Sequence, residues 1–333
     1  MLEIGSDIDY SLKEHTDSVF QLIEDGWNTS GAWTDHVSAM RLVIPKPSNN
    51  EESSWSPLRW VTLPGLCCYA VGGELESTLE ISAAWLLLYT SAHIVDTIED
   101  GDYDPQVSKL GGPGVAINTA NGLFLSAIMQ LQSLHEKDIP SGQITKIISD
   151  YLETILLMTS GQHLDLTVPM LDLDQWWQIA ETKSGAFFSL ACRAGARLET
   201  ADPDKIDAYS IFGYHLGLLL QIFDDLQDFQ TLLESRELNP SLNLEKSLAS
   251  AYAYDVLPET TKVNFRRLVG AGTDQDEMVD ELIEVLDGCG AGLYMISEIN
   301  KHQGLGIASL EKGKPLSPAG EELKSILHGF KLD

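Results

Sequence analysis

Five aspartates in two clusters carry the clearest chemical signal in this sequence. Asp96 and Asp100 stand four residues apart in Val95-Asp96-Thr97-Ile98-Glu99-Asp100-Gly101-Asp102. Asp224 and Asp228 repeat the spacing in Gln221-Ile222-Phe223-Asp224-Asp225-Leu226-Gln227-Asp228, with Asp225 beside them. On a helix, a four-residue step puts both carboxylates on one face. Each cluster closes an apolar run, where anions oppose the helix dipole and like charges one turn apart cost roughly 0.2–0.5 kcal/mol. One such cluster reads equally well as a solvated helix end. Two, on separate apolar helices, point to shared divalent cations. An all-oxygen donor set suits Mg2+, which keeps several waters and meets phosphate oxygens. The chemistry expected is a carboxylate-held Mg2+ cluster that grips a diphosphate.

The cations are scarce, so their positions are informative. Lys and Arg total 21 against 50 Asp and Glu, a formal charge of −29 in 333 residues. That balance argues against nonspecific nucleic-acid binding and against electrostatic attraction to anionic membranes. A small anion would need a local basic pocket or a bound metal. Lys183, in Glu181-Thr182-Lys183-Ser184-Gly185-Ala186-Phe187-Phe188, is a lone cation inside an apolar helix. It reads either as an anion ligand or as a lysine snorkelling from the core edge. Arg59 and Lys246 lie in more polar stretches. Gln162 and Asp165, in Ser160-Gly161-Gln162-His163-Leu164-Asp165, are candidates to line the same cavity. No Walker loop, HExxH or GxSxG elbow is present, and the four cysteines show no CxxC spacing.

The elements that must position these groups are helices. Strand signals and tight hairpin turns are absent, and apolar residues recur with helical periodicity. The spacing predicts helices near residues 14–24, 58–71, 74–100, 115–131, 145–159, 173–198, 206–229, 244–254, 274–286 and 290–299, with a last one from 318. Residues up to about 55 read as an irregular section ending in the loop at 45–54. Gly72-Gly73 reads as a helix stop. The expectation is a single all-α domain over 1–333, with two domains split near 235 as the alternative. The N-terminus lacks the apolar core of a signal peptide. The apolar stretch 81–95 is short for a membrane span. A soluble, cytoplasmic protein with no transmembrane segment is expected.

In their order along the chain, these motifs resemble the trans-isoprenyl diphosphate synthase, or polyprenyl synthetase, family. Gly217 to Asp228, "GLLLQIFDDLQD", resembles the family's second aspartate-rich motif. "KSGAFFSLACRAGA", from Lys183, resembles its K-[ST]-G helix, and "GQHLD" the GQxxD helix before it. "DTIED", Asp96 to Asp100, resembles the first DDxxD motif with Thr97 replacing its second Asp. The resemblance covers about residues 55 to 250. It implies the all-α isoprenoid synthase fold around a deep cavity and ionisation of a prenyl diphosphate substrate. It further implies about three Mg2+ ions per site, held by Asp96, Asp100 and Asp224 with support from Asp225 and Asp228. Lys183, Gln221, Lys246 and Arg59 would then contact the diphosphate. A homodimer packed through the apolar 115–131 helix is implied as well.

The departures narrow the reading. The family binds isopentenyl diphosphate through GKRxRP, whereas this chain has Ser56-Pro57-Leu58-Arg59-Trp60-Val61. Tyr89 stands where a histidine is expected, and no Arg-Arg pair follows the first motif. The leading expectation is a Mg2+-dependent prenyltransferase with an atypical acceptor site. The alternatives are a class I terpene synthase on the same scaffold and a non-catalytic regulatory subunit. Family members set chain length one turn before the first motif. Here Ser91 and Ala92 are small, while Tyr89, Leu88 and Trp85 continue down the helix. Trp85 lies about 16 Å below Asp96 at 1.5 Å per residue, so substrates of C15 or longer are expected.

Overall fold

The computed structural model describes residues 4–45, 60–101, 104–236, 243–270 and 276–330. Every regular element among them is helical, as the apolar periodicity predicts. In chain order the α-helices longer than four residues are α1 (Ile4–Thr29), α2 (Thr34–Val43), α3 (Leu63–Ala70), α4 (Leu79–Asp100), α5 (Pro113–Ser133), α6 (Ser141–Thr167) and α7 (Leu173–Ala180). They continue as α8 (Ala186–Glu199), α9 (Pro203–Ser235), α10 (Leu248–Val256), α11 (Glu259–Val269), α12 (Asp276–Gly288), α13 (Ala291–Lys312) and α14 (Ala319–His328).

These helices form two compact units that are not consecutive in sequence. One comprises Met1–Glu153, Leu190–Ser210 and Ser309–Ser325; the other comprises Thr154–Ser189, Ile211–Ala308 and Ile326–Asp333. No linear cut near residue 235 separates them. Arg59 and Asp102 lie outside the described residues.

In the first unit, α4 is the central element. Ile81, Ala83, Ala84, Trp85, Leu86 and Leu87 are wholly buried, the pattern of a helix enclosed on all sides. Its start follows Gly72, at φ 107°, and the 3-10 turn Leu75–Thr78. Its end is Gly101 at φ 74°, whose amide donates to the Thr97 carbonyl, a left-handed cap that glycine adopts without Cβ strain. Ser91 donates to the Ala120 carbonyl at 2.8 Å and ties α4 to α5. Tyr151 donates to the Ile81 carbonyl at 3.2 Å.

Two expectations change here. The N-terminal helix is longer than residues 14–24, and α2 occupies part of the section expected to be irregular. Only Val37, Met40 and Val43 of α2 are buried, too few apolar positions to give a clear stripe in the sequence. The stretch 81–95 also understates its helix. Residues 75–100, 113–136 and 203–235 are each long and apolar enough to cross a membrane by length and composition. The first and third bury 67% and 72% of their apolar windows inside the protein, the second only 44%.

In the second unit, α9 supplies Phe223, Leu226 and Phe229 to the core. His215 on α9 and His302 on α13 share a buried 2.9 Å contact between their Nδ1 atoms. Burial pushes both rings down to about 4, so one neutral ring donates to the other.

Candidate active site

The second unit gathers Lys183, Gln221, Asp224, Asp225, Asp228 and Lys246 of the predicted site residues, together with Gln162 and Asp165. On α9, Gly217, Gln221, Asp224 and Asp228 are separated by steps of four, three and four, so they share one face. Asp224 and Asp228 are exposed and Asp225 is half-buried. Asp224 is exposed, yet the protein around it takes away much of its solvation. That loss, with the Asp228 charge one turn on, pushes it up to about 7. Asp225 is also pushed up to about 7 by burial, against the pull of its hydrogen bonds. Asp228 is raised by burial. Three neighbouring carboxylates that resist ionisation are a donor set short of positive charge.

The three aspartates are not equivalent. Asp225 Oδ2 accepts from the Trp176 indole at 3.0 Å and from the Leu248 amide at 2.6 Å. It therefore holds α7 and the start of α10 to α9. Trp176 is positioned by a capping box, in which Asp172 accepts from the Gln175 amide and Gln175 returns the bond. No hydrogen bond from Asp224 is found among the described residues.

Two lysines converge on Asp165, near the end of α6. Lys183 Nζ is 3.2 Å from Oδ2, and Lys246 Nζ is 3.3 Å from Oδ1. Lys246 also donates to the backbone carbonyls of Asp165 and Val168, at the helix C-terminus where carbonyls lack intrahelical partners. Lys183 lies within the helical run that the span 173–198 predicts, but that run is not α-helical throughout. The lysine sits in a π turn, Glu181–Gly185, between α7 and α8. Such single-turn π insertions concentrate at functional sites. Ser184 donates to Gln221 Oε1 at 3.0 Å, fixing the orientation of that amide. Gln162 buries both amide atoms without a hydrogen-bond partner among the described residues. An unmet buried amide costs about 1–3 kcal/mol, and marks a place for a partner from outside the chain.

In the first unit, Asp96 is half-buried and Asp100 is exposed at the end of α4. His93, three residues before Asp96, stands 3.3 Å from Asp104, a pair with no sequence signal beyond the histidine itself. Trp85 is wholly buried, with its ring 5.6 Å from that of Tyr89. Leu88 is buried and Ala92 exposed. Ser91 faces α5 through its hydrogen bond, about 100° around the helix from Ala92. Among the described residues no three His, Cys, Asp or Glu side chains form a ready metal cage. Taken separately, the oxygen-only donors at the end of α4 and those on α9 each fit Mg2+ in type, and the raised carboxylates of α9 fit it in charge.

Comparison with known proteins bears on the family and the fold. A family model described as polyprenyl synthetase matches residues 62–286. The short chain isoprenyl diphosphate synthase of Methanothermobacter thermautotrophicus is 26% identical over 233 residues, covering 68% of this chain and 70% of that one. The tryptophan prenyltransferase ComQ of Bacillus subtilis subsp. natto is 28% identical over 159 residues, and the match spans about half of each, 47% and 47%. The crystal structure of geranylgeranyl pyrophosphate synthetase from Pyrococcus horikoshii superposes with a TM-score of 0.78 at 20% identity, covering 98% of both chains.

Proposed function

The chain belongs to the polyprenyl synthetase family, and from that membership we propose that it is a Mg2+-dependent prenyltransferase ionising an allylic diphosphate of C15 or longer. The carrying observation is on the second unit: Asp165 gathers two lysines while crowded carboxylates on α9 resist ionisation. In this reading Asp224 and Asp228, with Asp96 and Asp100, hold the cations. Bound Mg2+ supplies charge neutralisation for the departing diphosphate. Lys183 and Lys246 add two ammonium groups to that anion, with Asp165 setting their spacing. Gln221, oriented by Ser184, donates its amide to a phosphate oxygen. Apolar side chains along α4 keep water from the allylic cation. The test is incubation with C10, C15 and C20 allylic diphosphates and Mg2+, with and without isopentenyl diphosphate, read by mass spectrometry. Diphosphate release from none of them overturns the reading.

The acceptor distinguishes two versions of this chemistry. The lysine and both arginines of the isopentenyl diphosphate motif are missing at their positions in Ser56 to Val61, where one displaced arginine, Arg59, stands. Calorimetry on protein preloaded with a non-hydrolysable allylic analogue is expected to detect little or no isopentenyl diphosphate binding. Tight, saturable binding would mean that other cations, Arg59 among them, replace the lost ones. If binding is absent, transfer to a different nucleophile or cyclisation of one substrate remains. The relative named for tryptophan prenylation supports the former. A non-catalytic regulatory subunit has no use for both aspartate clusters, so their presence favours an enzyme.

The dimer and the chain-length floor have tests of their own. Val115, Ile117, Leu125 and Met129 of α5 are 45–60% exposed, an apolar face that suits a second copy of the chain. Light scattering is expected to give a dimer mass at micromolar concentration, and Leu125→Lys with Met129→Lys a monomer. A monomeric wild type counts against the dimer. The chain-length floor is assigned to the Ala92, Tyr89 and Trp85 face. Ala92→Phe is therefore expected to shift preference from C20 and C15 toward C10. An unchanged preference means that the substrate does not run along this face.

A further inference from the structure

The π turn that carries Lys183 is seated between two helices at places where neither has a side chain. A Cβ on Gly161 of α6 would lie 2.2 Å from Thr182 Oγ1, 3.1 Å from Thr182 Cβ and 3.2 Å from Lys183 Cγ. A Cβ on Gly217 of α9 would lie 2.2 Å from the Ser184 carbonyl oxygen and 2.6 Å from its carbon. Thr182 cannot swing away freely, because its hydroxyl donates to the Gln178 carbonyl at 2.7 Å. Each glycine also stands one turn before a side chain that grips the same π turn. Asp165 comes one turn after Gly161 and takes Lys183 at 3.2 Å. Gln221 comes one turn after Gly217 and takes Ser184 at 3.0 Å. Close approach on one turn and a polar anchor on the next therefore recur on both sides.

We propose that Gly161 and Gly217 are positioning residues, whose missing side chains let α6 and α9 close on the π turn and deliver Lys183 to Asp165. The functional part rests on the reading of Lys183 as a diphosphate ligand. Neither glycine touches substrate; each acts through the lysine. A π turn adds one residue to a helix and shifts the phase of the next helical segment by about 100°. Holding it in place thus sets the direction in which Lys183 leaves the helix.

The test uses the full chain. Gly161→Ala is expected to keep its helical circular dichroism, because alanine is the better helix former. Its affinity for inorganic diphosphate in Mg2+, read by calorimetry, is expected to fall about tenfold or more, the scale of an ångström-sized misplacement. Lys183→Ala should weaken binding similarly. Combining Gly161→Ala with Lys183→Ala should cost no more than Lys183→Ala alone, since coupled residues are non-additive. Additive losses overturn the proposal. Thr182→Ala removes the oxygen nearest the new methyl and is expected to restore much of the affinity of Gly161→Ala. Ser184→Gly should not rescue Gly217→Ala, whose obstruction is backbone. The distance from Lys183 Nζ to Asp165 Oδ2 in a crystal structure of Gly161→Ala gives a readout without ligand. Should that variant not fold, Thr182→Leu enlarges the same contact from the other side. Persistence of the 3.2 Å pair in the variant overturns the proposal. A wild type that binds no diphosphate overturns the functional reading instead, and leaves the crystal distance to decide the positioning role.

Discussion

Asp224→Ala is expected to lower diphosphate release by at least about 10³-fold, near the upper range for removing one charge-stabilising group from an active site. The helical circular dichroism and the melting temperature should stay close to wild type. The two halves of this expectation come from the same geometry. Asp224 is exposed, and no hydrogen bond ties it to its neighbours among the described residues. Its removal strands no buried donor and leaves no cavity. It also relieves repulsion with Asp228, one turn away. On the proposed reading, a side chain that costs the apo protein stability and contributes nothing to packing has its use when the site is loaded. Steady-state release of diphosphate from a C15 allylic substrate, beside a thermal melt, reads both halves. An Asp224→Ala enzyme with near wild-type turnover would remove Asp224 from the metal-binding set.

How much of this was legible in the sequence differs between the helices and the site. The long helices were readable because their apolar residues recur over many turns, as in α4 and α9. The breaks were not. Residues 173–198 read as one helix, since a π turn keeps the chain helical and changes only the phase. Helix α2 was missed because three buried residues give little periodicity. In the site, the aspartate spacing identified candidates but not their division of labour. Asp224 and Asp225 are adjacent and chemically identical. They differ because a helix turns by about 100° per residue, which aims one at solvent and the other at Trp176. Asp165 looked like a cavity-lining residue. Its place between two lysines depends on the 3-10 turn Leu244–Lys246 reaching back to α6, a tertiary contact with no local signature.

Asp225 should behave as the opposite of its neighbour, and its pH dependence gives the sharper test. Its Oδ2 accepts from Trp176 and from the Leu248 amide, and both residues are buried. Asp225→Ala leaves both donors unmet, at about 1–3 kcal/mol each. Asp225→Asn retains an acceptor oxygen and discards the charge. Burial raises the folded-state pKa of Asp225 to about 7 from 3.8. A carboxyl raised on folding binds more protons in the native state than in the unfolded one between those values. Its contribution to stability is therefore full below about pH 4 and is lost as pH rises through 7. At pH 5 without metal, wild type and Asp225→Asn should melt close together, with Asp225→Ala well below both. At pH 8 the wild-type carboxylate is ionised and unpaired by any cation. Asp225→Asn should then melt above wild type, and the deficit of Asp225→Ala should narrow. His215 and His302, pushed down to about 4 by burial, are common to all three proteins and cancel in the differences. Thermal unfolding in chelator at the two pH values measures this directly. If Asp225→Asn is as unstable as Asp225→Ala at pH 5, the hydrogen bonds to Trp176 and Leu248 are not what Asp225 contributes. If Asp225→Asn gains no stability over wild type between pH 5 and pH 8, the carboxyl is not held in its protonated form by the fold.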